Sequence, residues 1–196
     1  MNPVLLDLPV PIWTPRLCIK PRFAGEGPVL NRVICSSLEH LKPWMPFAQR
    51  APTLEESEDH CRRSVAKFIL REDFTFSIYL RDGKTFVGST GFHQPNWELR
   101  SFHIGYWVAA EFAGKGYISE STNALTRYGF EVLKARRLEI RCDERNASSF
   151  GVMDRLGYVR EGVLKNGDLD TEGVPRNTIV TARCDLAGLP PLDVSW

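Results

Sequence analysis

Residues 103–125 read HIGYWVAAEFAGKGYISESTNAL, a strand pattern, a glycine-rich junction and a helix pattern in close succession. The strand covers Phe102 to Val108, Gly114-Lys115-Gly116 follows, and the spacing predicts a helix over Ser119 to Leu133, with Thr122, Leu125, Gly129 and Val132 on one side. Glycines at such a junction let the backbone take positive φ and come close to a ligand. The free N–H groups of the first helical turn, aided by the helix dipole, then favour an anion, most commonly a phosphate. Two common phosphate loops do not fit. A Walker A loop needs Ser or Thr after its Lys, whereas Lys115 precedes Gly116-Tyr117. A dinucleotide fingerprint needs a third glycine where Ser119 stands, and a parallel sheet before it.

Outward from this segment, hydrophobic periodicity changes several times. Arg16 to Lys20 alternates as a strand does, and Pro28 to Leu38 carries Leu30, Val33, Ile34 and Leu38 at helical spacing. Pro43-Trp44-Met45-Pro46 must be a loop, since prolines at both ends exclude helix and central strand. Thr53-Leu54-Glu55-Glu56 is a capping-box signature for a helix with the apolar stripe Leu54, Cys61, Val65, Phe68. Phe74–Leu80, Thr85–Phe92 and Phe102–Val108 form a meander whose first turn is Asp82-Gly83. Beyond the Ser119–Leu133 helix come a strand at Leu138–Cys142, a helix opened by Asn146 and closed by Gly157, and strands at Tyr158–Leu164 and Thr178–Cys184. The order β-α-α-β-β-β-α-β-α-β-β combines a meander with a strand–helix–strand crossover. It predicts an α+β fold, a mixed sheet with helices on its faces.

The chain has 196 residues, 43% of them hydrophobic, which suits one domain with a substantial core. We expect a single domain over 14–186, with an extended arm at 1–13 and a tail at 187–196. Lys and Arg number 25 against 24 Asp and Glu, a net charge of +1 that argues against direct, sequence-independent nucleic-acid binding. No apolar run approaches the roughly 18 residues of a membrane span, and the N-terminus lacks a secretory pattern. The five cysteines are scattered, with no C-x-x-C, so neither a metal site nor a disulfide framework is expected. The compartment implied is the reducing cytoplasm.

Glu111-Phe112-Ala113-Gly114-Lys115-Gly116 resembles the acyl-CoA-binding motif of the Gcn5-related N-acetyltransferase (GNAT) superfamily, Gln/Arg-x-x-Gly-x-Gly/Ala, departing at its first position. That departure is shared with the RimJ/RimL-like branch of N-terminal acetyltransferases. Ile104-Gly105-Tyr106-Trp107, Leu41-Lys42-Pro43-Trp44-Met45 and a second block, Arg141 to Ser149 leading to Arg155-Leu156-Gly157-Tyr158 and Glu161-Gly162, are similar to that branch as well. The likeness runs from about Thr14 to Asp185, and the element order above is the one the family shows.

The resemblance implies acetyl-CoA as cosubstrate, no metal, and direct transfer to an amine, either a protein N-terminus or a small amine. The strand at Trp107-Val108-Ala109 should part from its neighbour at a bulge and offer its backbone to the pantetheine arm. The amides of Ala113, Gly114, Lys115, Gly116 and Tyr117 should hold the pyrophosphate, with Asn146 and Ser149 also contacting CoA. An N–H near Val108 would steady the oxyanion. Many relatives place a Tyr seven residues after the helix-opening Asn to protonate the leaving thiolate; here that position is Met153, and the role falls to Ser149. Asp168 is the first candidate for general base and Asp170 could replace it. His103 ranks second, since an imidazole suits proton abstraction, and His93 on the adjacent strand third. A homodimer is compatible with the sequence. The alternative reading, motivated by Met153, is a CoA-binding module of this fold with lost or regulatory activity.

Overall fold

A computed structural model describes residues 2–196. Alternating strands and amphipathic helices assemble in the order β1 (Ile12–Trp13), β2 (Leu17–Pro21), α1 (Gly27–Ser36), α2 (Leu38–Leu41), α3 (Leu54–Leu70), β3 (Phe74–Leu80), β4 (Phe86–Asn96), β5 (Ser101–Val108), α4 (Tyr117–Glu131), β6 (Arg137–Asp143), α5 (Ala147–Arg155), β7 (Val159–Leu169) and β8 (Pro175–Arg183). The expected order is present, with β1 and the one-turn α2 added. Both additions are too short to carry a period of their own. β1 pairs with β2, and Trp13 bridges Ser195, so residues of the expected arm and tail meet at that edge.

The eight strands form one sheet in the order β1-β2-β3-β4-β5-β6-β8-β7. Every pairing is antiparallel except β5 with β6, the two strands joined through α4. Side chains alternate faces along a strand. Phe74, Phe76, Phe92 and Phe102 therefore share one face, and Tyr128 of α4 packs against them, stacking near Phe92. Gly129 lets α4 come this close: a Cβ there would lie 2.9 Å from the Leu138 side chain. Tyr79, Phe86 and Trp107 belong to a second cluster with Leu30, Val33, Ile34 and Cys61 from α1 and α3.

The predicted capping box opens α3. Glu56 N donates to Thr53 Oγ1 at 3.1 Å, and Thr53 N donates to Glu56 Oε2 at 2.8 Å, a pairing worth about 1 kcal/mol. The predicted stripe is displaced, however. Leu54 is 60% exposed, while Ser57, Cys61 and Ser64 are buried. The cause is the tight seam with α1, where a Cβ on Gly27 would lie 2.8 Å from the backbone of Glu58. Small side chains fit that seam and Leu does not. Among the described residues, no helix is long and apolar enough to cross a membrane.

Candidate active site

The parallel pairing of β5 with β6 covers only Ser101 to His103 against Arg137 to Glu139. Past His103 the two strands part. Ala109 N donates to Val87 O at 2.9 Å, and alternation along an antiparallel pair then turns the odd-numbered residues of β5 toward β4. The N–H and C=O groups of Ile104, Tyr106 and Val108 are left facing the opening. The ladder between Gly88 and His93 of β4 and β5 is regular, and its register shift lies between His93 and Asn96. The parting thus begins before the expected Trp107-Val108 and without a bulge at that place.

A cleft of about 790 Å³ fills the opening. It runs through the sheet. Tyr106, Cys142, Asn146 and Ser149 line it on the side of α5; Trp44, Phe47, His60 and His93 line it on the side of α1 and α3. Asn146 caps α5, its Oδ1 accepting from Ser149 N at 3.0 Å. Ser149 Oγ lies 2.9 Å from the phenol oxygen of Tyr106, tying β5 to α5 across the parted strands. Burial raises the Tyr106 phenol well above its ordinary value. It also pushes the Cys142 thiol up to about 11, keeping it protonated. Met153 is fully buried and accepts from Thr181 Oγ1 at 3.0 Å through its sulfur. That position is core, away from the cleft.

The glycine junction is built as expected. Gly114 and Gly116 hold φ of 73° and 80°, values that L side chains adopt only with strain. Gly116 is the N-cap of α4 with no side-chain cap, and the amides of Gly114, Lys115 and Gly116 have no partner among the described residues. Three cations ring them. Lys115 Nζ sits 5.3 Å from the Phe112 ring centroid. Arg155 donates to Ser119 Oγ at 2.8 Å. Arg16 donates to Lys115 O at 3.0 Å, pairs with Glu120 at 2.5 Å and stacks on Tyr117. Glu120 is buried and also accepts from Thr14 Oγ1 at 2.6 Å, so the turn between β1 and β2 anchors the start of α4. Unpaired amides, an open cradle and nearby cations suit a pyrophosphate. Arg16 carries no local sequence signal and Arg155 only its place in the second block of resemblance; the position of each beside the loop is visible only in space.

The acid–base candidates separate clearly. Asp168 is 60% exposed in side chain, is tied to Arg176 at 2.9 Å and does not line the cleft. A register shift between Leu164 and Asp168 in the β7–β8 hairpin sets that orientation. Asp170 does line the cleft, but its carboxylate accepts from the amides of Glu172 and Val174 and from Arg145. These bonds, that of Val174 foremost, hold it below its ordinary value. His103 points its Nε2 at Glu139 Oε1, 3.3 Å away, lies outside the cleft lining, and has its protonation disfavoured by burial. His93 lines the cleft, and its Nδ1 lies 2.7 Å from Asp73 Oδ2.

Residues 16–159 match the family model described as acetyltransferase (GNAT) domain. YdaF, a candidate ribosomal N-acetyltransferase of Bacillus subtilis, is 36% identical over 142 residues, 70% of this chain and 75% of that protein. The ribosomal-protein-serine acetyltransferase of Escherichia coli is 27% identical over 71% of this chain and 76% of its own length. Among solved structures, Mycobacterium smegmatis RimJ in complex with CoA-disulfide superposes with a TM-score of 0.81 at 25% identity, covering 93% of this chain and 90% of that one.

Proposed function

The chain belongs to the GNAT acetyltransferase family and is an acetyl-CoA-dependent N-acetyltransferase, and we propose that its acceptor is the free amino terminus of a protein of the ribosomal type. One observation carries the reading: a single cleft passes through the sheet where β5 leaves β6, with Asn146 and Ser149 at the start of α5 on one side and Trp44–Phe47 on the other. A thioester entering from the α4–α5 side and an amine entering from the α1–α3 side meet in that opening, so both substrates are bound together and no enzyme nucleophile is needed. Relatives that acetylate ribosomal proteins support a protein terminus as the amine.

In this reading the junction amides and Gly116 receive the pyrophosphate, and the unpaired backbone of Ile104, Tyr106 and Val108 pairs with the extended arm as an added strand would. The N–H of Val108 is placed to donate to the thioester oxygen as negative charge gathers there. Ser149, held by Asn146 and by the Tyr106 phenol, hydrogen-bonds the departing sulfur. A thiol pKa near 8.5 means the leaving group needs only modest help. Acetyl-CoA and newly made ribosomal proteins share the cytoplasm, which is where the reading sets the enzyme.

The test is CoA release with acetyl-CoA and three acceptor sets: peptides with free Ser or Ala termini, Nα-blocked peptides containing Lys, and small amines. The reading expects kcat/KM at least ten-fold higher for the first set. Preference for small amines, or equal use of blocked peptides, overturns it.

A further inference from the structure

An amine at neutral pH is an ammonium with no lone pair, so the transfer needs a proton acceptor facing the acceptor side of the cleft. Such a group must line the cleft and keep a lone pair free. Asp168 fails the first condition; Asp170 and Asp143 are occupied, Asp143 by Arg145 at 2.7 Å. His103 is turned to Glu139 and lies outside the lining. Glu56 lines the cleft but is locked by Arg50 and the Thr53 amide. His60 also lines this side, but no carboxylate orients its ring, and burial together with Arg22 disfavours its protonated form. His93 meets both conditions and has Asp73 to orient it.

We propose that His93 is the general base of the acetyl transfer, with Asp73 as its positioning residue. This rests on the N-acetyltransferase reading and extends it. Asp73 Oδ2 engages Nδ1 of His93 at 2.7 Å, and Asp73 Oδ1 accepts from Thr75 Oγ1 at 2.9 Å, so the carboxylate is itself fixed. A carboxylate only accepts, so Nδ1 carries the proton and Nε2 keeps its lone pair. The ring lies across two glycines. A Cβ on Gly105 would come 3.0 Å from Nε2 and one on Gly91 3.2 Å from it, so both positions leave the space that the imidazole fills. Gly105 stands directly opposite Gly91, one residue before Tyr106 on the parted stretch of β5. The free nitrogen thus sits over the backbone that borders the opening.

The proton and electron balance is simple. The acceptor R–NH3+ gives a proton to Nε2, forming an imidazolium that Asp73 stabilises. The freed amine lone pair forms the N–C bond to the thioester carbonyl, whose electrons move to oxygen; their return breaks the C–S bond. The thiolate takes one of the two protons left on nitrogen, by way of Ser149 or water, and the other stays in the amide. R–NH3+ and acetyl-CoA become the amide, CoA thiol and one proton, which His93 passes to solvent.

Other charges face this pair. His103 stands across from His93 on β5, with Glu139, Arg137 and Arg141 beyond it on β6; Lys67 and His60 lie on α3, and Arg22 below His60. Burial works against ionisation of Asp73, but its bonds from His93 and Thr75 outweigh this and hold the carboxyl below its ordinary value.

Two measurements test the proposal on the full chain. In the first, kcat and KM are followed against pH for the parent, His93→Gln, Asp73→Asn and His103→Gln, with the best acceptor from the panel above. His93→Gln should lower kcat by roughly 10²–10⁴-fold, leave CoA affinity within about two-fold, and abolish the acid limb of the pH profile. Asp73→Asn should lower kcat less and move that limb to lower pH. His103→Gln should keep the limb. Near-parental kcat in His93→Gln with an intact limb overturns the proposal; loss of the limb in His103→Gln instead of His93→Gln does so too. In the second, imidazole ¹H–¹⁵N spectra of the CoA-bound parent should show His93 with Nδ1 protonated and Nε2 bare, a preference lost in Asp73→Asn. A proton on Nε2 overturns the assignment without reference to any acceptor. Silence of the parent on free-terminus peptides, with turnover of small amines, overturns the acceptor reading and leaves the base comparison to be made on those amines.

Discussion

The Tyr106 phenol and the Ser149 hydroxyl lie 2.9 Å apart and span the opening between β5 and α5. The pair brings a strand that has lost its neighbour and a helix that follows that neighbour into one hydrogen-bonded unit. A phenol is therefore present beside the cleft, although the position that often supplies one, Met153, is core.

Ser149→Ala and Tyr106→Phe should each lower kcat by about ten-fold with little change in KM for acetyl-CoA. The double variant should lose no more than about the larger single effect, because both substitutions delete one hydrogen bond. Steady-state kinetics of the three variants check this. Full additivity would mean that the two hydroxyls act separately.

Restoring tyrosine at position 153 should not raise activity. Met153 is fully buried where α5 packs on β8, and its sulfur accepts from Thr181. Met153→Tyr overfills that space, at a cost of about 1–3 kcal/mol, which for a chain of this size lowers Tm by several degrees. Thermal unfolding alongside CoA-release assays measures both parts.

Gly116→Ala should weaken CoA binding and leave the fold intact. Its φ of 80° is strained for alanine by about 1–2 kcal/mol, and the added Cβ would lie 3.4 Å from an Arg16 guanidinium nitrogen. The junction then relaxes away from the shape that presents its amides, so Kd for CoA rises by roughly 5- to 30-fold. Calorimetric titration gives the number. An unchanged Kd would place the pyrophosphate elsewhere.

Stability should fall in acid partly through Glu139. Burial opposes its ionisation, yet hydrogen bonds from Arg137 and Arg141 overcome this and hold its carboxyl below the ordinary value. A depressed carboxyl contributes stability above its unfolded pKa of about 4.3 and loses that contribution as pH falls through the folded value. Glu139→Gln should be less stable than the parent at pH 7, and the gap should narrow below about pH 4. Urea midpoints at pH 7, 5 and 3 read the effect.

Much of the molecule was legible because local rules wrote it. Thr53 and Glu56 form their capping box within one turn, the meander follows from period-two patterns around Asp82-Gly83, and Gly114-Lys115-Gly116 before a helix announces an anion cradle. The buried face of α3 was not legible, since its fit to α1 selects size over hydropathy: Ser57 and Ser64 are inside and Leu54 outside. The sequence put Asp168 first, with Asp170 as its replacement. The shifted register of the β7–β8 hairpin turns Asp168 to Arg176 and leaves Asp170 on the cleft, committed to a turn.

The sequence alone determined most of the order of elements and the glycine junction that opens α4, because each rests on residues within one or two turns or strands of one another; the family resemblance was legible because its motifs recur in order along the chain. Tertiary structure decided which groups meet over the cleft. Asp73 and His93 are 20 residues apart and Tyr106 and Ser149 are 43 apart, and these pairs exist only because particular strands are neighbours in a particular register. His93 and His103 are direct cross-strand partners, so the choice between them turned on what flanks each one: Asp73 and a free nitrogen on the β3 side, Glu139 on the β6 side. Local pattern and turns set which strands pair within the meander, but which side chains then meet across it, and where β6 leaves β5, depends on how the whole sheet packs.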